Sequence, residues 1–193
     1  MSWEEELKEM AHRSGLAEAM GGEEKVARQH EFNKLTIRER IGHIADGNSF
    51  HELGKLAGVG EYDDDGNLTH FTPSNFVFGT AEIDQRPVIL SGDDFTVRGG
   101  SADASIAGKR VQAEGLAAEL RLPHIRLVDG MGGGGSVKTI ETAGRTYIPE
   151  LRGWETIVSH LSIAPSVSLA LGSVAGIGAG TGAGAYTGHM SCL

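Results

Sequence analysis

The chain has 193 residues, of which 17 are basic and 26 acidic, and its formal net charge is −9. This length suits one domain with a helical arm, and the negative charge argues against nucleic acid or an anionic membrane as the main partner. The single cysteine, Cys192, cannot form an intrachain disulfide, and the acidic start of the chain lacks the basic flank and apolar run of a signal peptide. We therefore expect a cytoplasmic protein.

Two helical segments open the chain. Apolar residues recur at helical spacing over residues 3–20 and again over 23–46. In the second segment Thr36 is followed three residues later by Glu39, which is a capping-box pattern for a helix of about ten residues. These segments predict an amphipathic helical arm over residues 1–50.

The next part of the chain alternates strands with a helix. Residues 75–83 and 88–92 are rich in apolar residues and flank a turn, which predicts a β-hairpin, and we expect 94–97 to extend its second strand. A helical period over 101–120 then leads to the apolar strand 125–129. Strand, helix and strand in this order predict a parallel crossover unit.

A further helix and strand follow, over 150–163 and 167–172. If strands 125–129 and 167–172 are neighbours, the glycine-rich segments after them lie at the same end of the sheet. From Thr156 onward the chain contains no Asp, Glu, Lys or Arg. Its many glycines and serines make this stretch a poor membrane span, so we interpret it as a buried edge of the sheet. We also expect it to add apolar surface that favours self-association or a partner.

The glycine run 130–135, interrupted only by Met131, is the most informative motif. Backbone N–H groups without shielding side chains, placed at the end of a strand, can cradle a phosphate or form an oxyanion hole. The run also satisfies the dinucleotide fingerprint, but no second half of a Rossmann fold is recognisable, and Lys138 stands too far from Gly135 for a P-loop. Oxyanion donors would come from 132–134 and from the second glycine turn, 176–178. The alternative is that these glycines only permit tight turns and packing.

Other catalytic and metal-binding arrangements have little support. The eight histidines and one cysteine show no metal-ligand spacing, so we predict no metal site. The acidic turn 61–67 lacks the final glutamate of a calcium loop, and we interpret it as a solvated loop. A Ser-His-Asp catalytic triad could be drawn from Ser136, His160 and Asp129, but nothing in the sequence places these residues together.

Three blocks of sequence resemble a known family. They are 34–41 (KLTIRERI), 46–53 (DGNSFHEL) and 94–101 (DFTVRGGS). Their order and spacing are similar to the amino-terminal half of the carboxyltransferase subunit of biotin-dependent acyl-CoA carboxylases, of the propionyl-CoA and methylcrotonyl-CoA type. The likeness covers about residues 23–179.

The resemblance implies a fold and a reaction. The fold is an α/β, crotonase-like ββα superhelix, here incomplete, over residues 51–179 and preceded by the helical arm. The reaction transfers carboxylate from carboxybiotin to the α-carbon of an acyl-CoA. The chain has no biotinylation sequence, so biotin would arrive on a biotin carboxylase or biotin carboxyl carrier partner. In the family the active site is shared between subunits, which implies a homo-oligomer.

The resemblance also assigns site residues. The family loop after this strand commonly reads Asp-Ser-Gly-Gly-Ala, whereas Asp129 is followed here by Gly-Met-Gly-Gly, so the match is one of position and glycine character. Backbone amides of the catalytic oxyanion hole are expected from Met131, Gly132, Gly133 and Gly134. The substrate-binding residues are expected to be Arg98 and Lys138 toward phosphates, Gly99, Gly100 and Ser101 along the channel, and Ala175 and Gly176 in the second glycine turn.

The family continues into a second domain, whereas residues 180–193 here are unlike it. We therefore expect an amino-terminal fragment that does not turn over alone. One alternative is a non-catalytic CoA-binding or partner-binding domain. Another is a crotonase-type hydratase or hydrolase, which would need a carboxylate such as Glu141 or Asp129 facing the loop.

Overall fold

The computed structural model describes residues 2–101, 106–130, 140–141, 144–145 and 154–174. Its helices are α1 (Glu4–Glu18), α2 (Glu23–Glu31), α3 (Ile37–Ile44), α4 (Ala107–Leu120) and α5 (Trp154–His160), with a 3-10 turn at Arg98–Gly100. Its strands are β1 (His51–Glu52), β2 (Gly58–Tyr62), β3 (Leu68–Pro73), β4 (Phe76–Ile83), β5 (Arg86–Asp93), β6 (His124–Gly130) and β7 (Ser166–Val174). No helix in these ranges is long and apolar enough to cross a membrane.

The predicted helices of the arm are present. The first half of α1 is exposed, and the helix is attached at its carboxyl end, where Ala17 is buried and Glu18 pairs with Lys55 at 2.7 Å. The predicted capping box opens α3: the Glu39 N–H donates to Thr36 Oγ1 at 3.3 Å, and the Thr36 N–H donates to Glu39 Oε2 at 2.7 Å. The helix is eight residues long, slightly shorter than expected.

The main sheet has five strands in the order β1-β4-β5-β6-β7, and β2 and β3 form a separate pair. β4 and β5 are the predicted hairpin, joined through Asp84 and Gln85, whose φ angles of 51° and 62° are those of a type I′ turn. β5 pairs with β6 in parallel across α4, as the crossover pattern predicts, and β6 pairs with β7 in parallel. The remaining division of the chain at residues 50 and 179 stays a prediction.

The core lies on both faces of this sheet. Ile37 and Ile41 of α3 pack with Val77 of β4 in one cluster, whereas Phe78 packs with Ala113 of α4 in another. Val77 and Phe78 are consecutive on β4, and consecutive strand residues point to opposite faces. Helices α3 and α4 therefore cover opposite faces of the sheet.

Two predictions about element boundaries are wrong. β5 ends at Asp93, so residues 94–97 do not extend it. Instead Asp94 accepts from the N–H of Thr96 at 2.9 Å and from its hydroxyl at 2.5 Å, and such local side-chain bonds favour a turn over a strand. α4 begins at Ala107, so Ser101, which we expected to begin this helix, lies outside it.

β7 forms the edge of the sheet and is only partly buried. Ser166 is fully buried, but Leu169 and Leu171 are 39% and 38% exposed, so the interpretation of a buried edge holds for the start of the strand alone. Gly130 of β6 pairs with Val174 of β7. The two strands therefore end at the same end of the sheet, as predicted. The glycine runs that follow them, after Gly130 and Val174, lie outside the described residues.

Candidate functional site

The carboxyl ends of β5, β6 and β7 meet around Asp129, which is fully buried. The ladder between β5 and β6 extends to Gly92 and Leu127. Beyond it, Asp93 Oδ2 accepts the Asp129 N–H at 3.2 Å. The Asp93 carboxylate thus accepts the Asp129 N–H at the position where a backbone carbonyl of β5 would accept it if the ladder continued. This hydrogen bond holds the end of β6 in place.

Two guanidinium groups balance the two buried carboxylates. Arg40 of α3 donates from Nη2 to Asp129 Oδ2 at 2.7 Å. Arg110 of α4 donates to Asp93 Oδ1 at 2.5 Å and lies over the Phe76 ring, 4.4 Å from its centroid. Each carboxylate therefore has its own arginine, one from each face of the sheet, which satisfies the requirement that buried charges be paired.

The second oxygen of Asp129 is crowded and poorly bonded. Among the described residues Asp129 Oδ1 has no hydrogen-bond partner, and Lys34 Nζ lies 3.9 Å from it. A Cβ on Gly172 of β7 would overlap this carboxylate. The pairing of β7 with β6 is irregular here, since Val128 pairs with Ala170 and the next pair joins Gly130 to Val174. Glycine at position 172 is therefore required by the close approach of β7 to Asp129.

The segment 98–101 packs against the end of β6. Arg98, Gly99 and Gly100 have positive φ angles of 51°, 63° and 67°. A Cβ on Gly100 would lie 2.8 Å from Gly130 Cα, so only glycine allows this contact. Ser101 is 1% exposed, and its carbonyl accepts from Asn75 Nδ2 at 2.6 Å. The structure thus places these four predicted substrate-binding residues beside the start of the glycine run.

The other predicted site residues lie outside the described residues. They are Met131, Gly132, Gly133, Gly134, Lys138, Ala175 and Gly176. Their roles stay predictions, although the strands that lead into both glycine runs are neighbours.

The competing arrangements gain little from the structure. His160 Nε2 lies 3.0 Å from the Leu122 carbonyl, and Asp129 is bound to Arg40, so this histidine and aspartate have other partners than each other. Ser136 lies outside the described residues. Glu141 is exposed, and the Asp129 carboxylate that the hydratase alternative would use is already paired. Within the described residues no group of three acidic, histidine or cysteine side chains could hold a metal ion.

Sequence reasoning missed Arg40, Asp93 and Gly172 as supports of this site. A signal was present for Arg40, which stands three residues after Ile37 and one before Ile41, on the apolar stripe of its helix. A charged residue in such a stripe is buried only when it is paired. Helical spacing does not indicate which carboxylate pairs with Arg40.

A second buried polar network joins α4 to three strands. Glu114 of α4 accepts from Arg126 Nε at 3.0 Å and Nη2 at 2.8 Å, and His124 Nδ1 lies 3.2 Å from it. His124 Nε2 lies 2.8 Å from Ser91 Oγ on β5, and Arg126 donates to the Ser166 hydroxyl on β7. Ser91, His124 and Glu114 have the connectivity of a hydrolase triad, but all are buried, so we interpret the network as structural.

Burial and charge set the protonation of this network. Burial raises the pKa of the Glu114 carboxyl, but hydrogen bonds and charge interactions with His124, and then with Arg126, outweigh it and lower that pKa from 4.5 to about 2. Complete burial lowers the pKa of His124, and the Glu114 carboxylate opposes this effect. We assign a neutral imidazole that donates from Nδ1 to Glu114 and accepts from the Ser91 hydroxyl at Nε2.

A third cluster centres on Glu52 of β1. Arg38 of α3 donates to both its carboxylate oxygens, at 2.8 and 3.3 Å. Lys109 Nζ of α4 lies 3.8 Å from Glu52 Oε1. Burial lowers the pKa of Lys109 from 10.5 to about 8, although Glu52 opposes it. Two of the three resemblance blocks therefore contact each other through Arg38 and Glu52.

The fold is that of a mixed α/β domain in which β5, β6 and β7 end together around Asp129. The sequence matches the family described as the carboxyl transferase domain over residues 28–187, and the chain belongs to this family.

Individual relatives agree with this assignment. The chain is 34% identical over 168 residues to the methylcrotonoyl-CoA carboxylase beta chain of Arabidopsis thaliana, covering 83% of this chain and 27% of that protein. It is 31% identical over 132 residues to the propionyl-CoA carboxylase carboxyltransferase subunit of Haloferax mediterranei, covering 68% of this chain and 26% of that protein. The chain thus spans about a quarter of the length of these two relatives.

A solved structure shows the same fold. The crystal structure of transcarboxylase 12S, with hydrolysed methylmalonyl-coenzyme A bound, matches with a TM-score of 0.71 and 26% identity, over 98% of this chain and 35% of that chain. The predicted resemblance to acyl-CoA carboxylase carboxyltransferase subunits is confirmed, and so is the crotonase-type fold with a helical arm.

Proposed function

We propose that the chain forms part of a carboxyltransferase that moves a carboxylate from carboxybiotin to the α-carbon of an acyl-CoA. The observation that carries this proposal is the contact of Gly100 with Gly130. It joins the third resemblance block to the strand end from which the glycine run starts. The relatives named for propionyl-CoA and methylcrotonoyl-CoA carboxylases supply the acyl-CoA class.

The chemistry explains why a glycine-lined strand end suits this reaction. When the α-carbon of a thioester loses a proton, negative charge develops on the carbonyl oxygen. A C–C bond from that carbon to the carboxylate would then form as the N–C bond of carboxybiotin breaks, and the released biotin nitrogen would take up the proton. Preorganised N–H donors about 3 Å from the oxygen stabilise this charge. We assign these donors to the backbone of Met131, Gly132, Gly133 and Gly134.

The remaining assignments concern binding. Arg98 and Lys138 contact the phosphates of CoA, Gly99 to Ser101 form one wall of its channel, and Ala175 and Gly176 form part of the opposite wall. We assign none of the groups around Asp129 to biotin. Biotin supplies the activated carboxylate and arrives on a biotin carboxyl carrier partner. The chain acts within a homo-oligomer.

Calorimetric titration of the full chain with CoA, acetyl-CoA and propionyl-CoA tests the substrate class. We expect both acyl-CoAs to bind more tightly than CoA, and Arg98→Gln to weaken all three. Arg121→Gln is the matched control, because Arg121 precedes β6 at the end of the strand opposite to Gly130. A carboxylation assay with biotin carboxylase and carrier partners then tests turnover. Because we expect the chain not to turn over alone, acyl-CoA binding without carboxylation agrees with the proposal, whereas carboxylation would exclude the non-catalytic alternative. Absence of acyl-CoA binding would refute the proposal.

A further inference from the structure

Arg40 and Asp129 form a buried ion pair between the helical arm and the candidate site. Their side chains are 7% and 0% exposed, and they lie 89 residues apart in sequence. A pair removed from water in this way is retained only with good geometry, because desolvation of both charges opposes it. A pair of apolar residues would join α3 to the sheet equally well, so the charge at this position calls for a further reason.

The position of Asp129 supplies that reason. Its N–H is held by Asp93 at the end of β5, its Oδ2 by Arg40 of α3, and its Oδ1 faces Gly172 of β7. Contacts from three elements thus fix the residue that precedes Gly130. The backbone position of Gly130, the first residue of the glycine run, therefore depends on Asp129.

We propose that Arg40 and Asp129 are positioning residues, which orient the start of the glycine run so that the site distinguishes an acyl thioester from free CoA. This inference rests on the proposed function and deepens it. CoA and acyl-CoA share the phosphates and the pantetheine arm, and they differ in the acyl group that carries the thioester carbonyl. Contacts to that acyl group, the carbonyl included, therefore set the ratio of the two affinities.

The expected size of the effect follows from the geometry of such donors. Donors act on a carbonyl oxygen at about 2.7 to 3.1 Å, and a displacement of about 1 Å can cost about a hundredfold in rate. A looser Asp129 should therefore lower the affinity for propionyl-CoA more than the affinity for CoA. A residue that only stabilises the fold would leave the ratio unchanged in the folded fraction.

The test measures the affinities of the full chain for propionyl-CoA and CoA by calorimetry. Arg40→Lys keeps the charge but loses the planar fork, and Asp129→Asn keeps the shape but loses the charge. Arg38→Lys is the matched control, since Arg38 lies two residues away on the same helix and pairs with Glu52 instead. Gly172→Ala perturbs the Asp129 carboxylate independently from the side of β7.

We expect Arg40→Lys, Asp129→Asn and Gly172→Ala to lower the ratio of propionyl-CoA to CoA affinity by about tenfold, and Arg38→Lys to preserve it. Circular dichroism and thermal melting show which variants are folded, and only folded variants are compared. If wild type prefers propionyl-CoA and folded Arg40→Lys and Asp129→Asn keep that preference, the inference is overturned but the proposed function is not. Equal wild-type affinities for the two ligands would overturn the proposed function and the inference together.

Discussion

Substitution of Glu114 by Gln tests how much the buried network between α4 and the sheet contributes to stability. Glu114 is held by both Arg126 and His124, and the network reaches β5 and β7 through two serines. Gln has nearly the same shape but no charge. The variant therefore leaves the Arg126 guanidinium buried without a counter-charge.

Two independent lines give similar magnitudes. A carboxyl whose pKa falls from 4.5 to about 2 on folding contributes about 3 kcal/mol at neutral pH. Removal of one partner from a buried ion pair costs about 3 to 5 kcal/mol. We expect Glu114→Gln to lower the free energy of unfolding by about 3 kcal/mol, a large share of the stability of an ordinary domain.

Urea unfolding followed by circular dichroism at pH 7 measures this loss. Glu119→Gln is the matched control, because Glu119 is exposed on the same helix and its substitution should change stability by less than about 0.5 kcal/mol. The Glu114 contribution is fully present above pH 4.5 and declines as the pH falls toward 2, so wild type and variant should converge in acid. A loss below about 1 kcal/mol at pH 7, with an unchanged m value, would refute the reasoning.

Three further substitutions test other buried groups. As the pH falls below 6.5, unfolded wild type binds a proton at His124 before the folded state does, so wild type loses stability. His124→Asn should lose less stability over this range. Urea midpoints from pH 7 to 5 measure the difference. Wild type should gain stability as the pH rises from 8 to 10.5, since the folded state releases the Lys109 proton first, and Lys109→Met should lack that gain in urea titrations. Thr36→Ala removes the cap of α3 and should cost about 1 kcal/mol, measured by thermal melting.

Local sequence signals predicted much of the fold. The capping box placed the start of α3, and apolar runs on either side of a polar turn placed the hairpin β4–β5. The alternation of strand and helix predicted the parallel pairing of β5 with β6. Each of these elements is specified by residues close together in the chain, where spacing alone is informative.

The errors and omissions arise where a side chain bonds to a distant or competing group. Residues 94–97 look like a strand, but the Asp94 carboxylate captures the Thr96 N–H and hydroxyl and turns the chain. The pairing of Arg40 with Asp129 spans 89 residues, and no periodicity reports such a contact. The requirement for glycine at 172 exists only because the Asp129 carboxylate occupies the space of its Cβ.

The three resemblance blocks are separate in sequence but connected in the fold, and the first and third reach the candidate site. The first supplies Arg40, which binds Asp129, and Arg38, which binds Glu52 of the second. The third supplies Gly100, which packs on Gly130.

The likeness to the family thus includes residues that hold the end of β6, namely Arg40 and Gly100. The residues after Asp129 differ from the common family loop. Backbone donors depend on the path of the chain and not on side-chain identity, so a site built from them tolerates changes within the run as long as the supports hold. This explains how a run as divergent as Gly-Met-Gly-Gly can serve the proposed function, and it directs mutagenesis to Arg40 and Asp129 before the glycines.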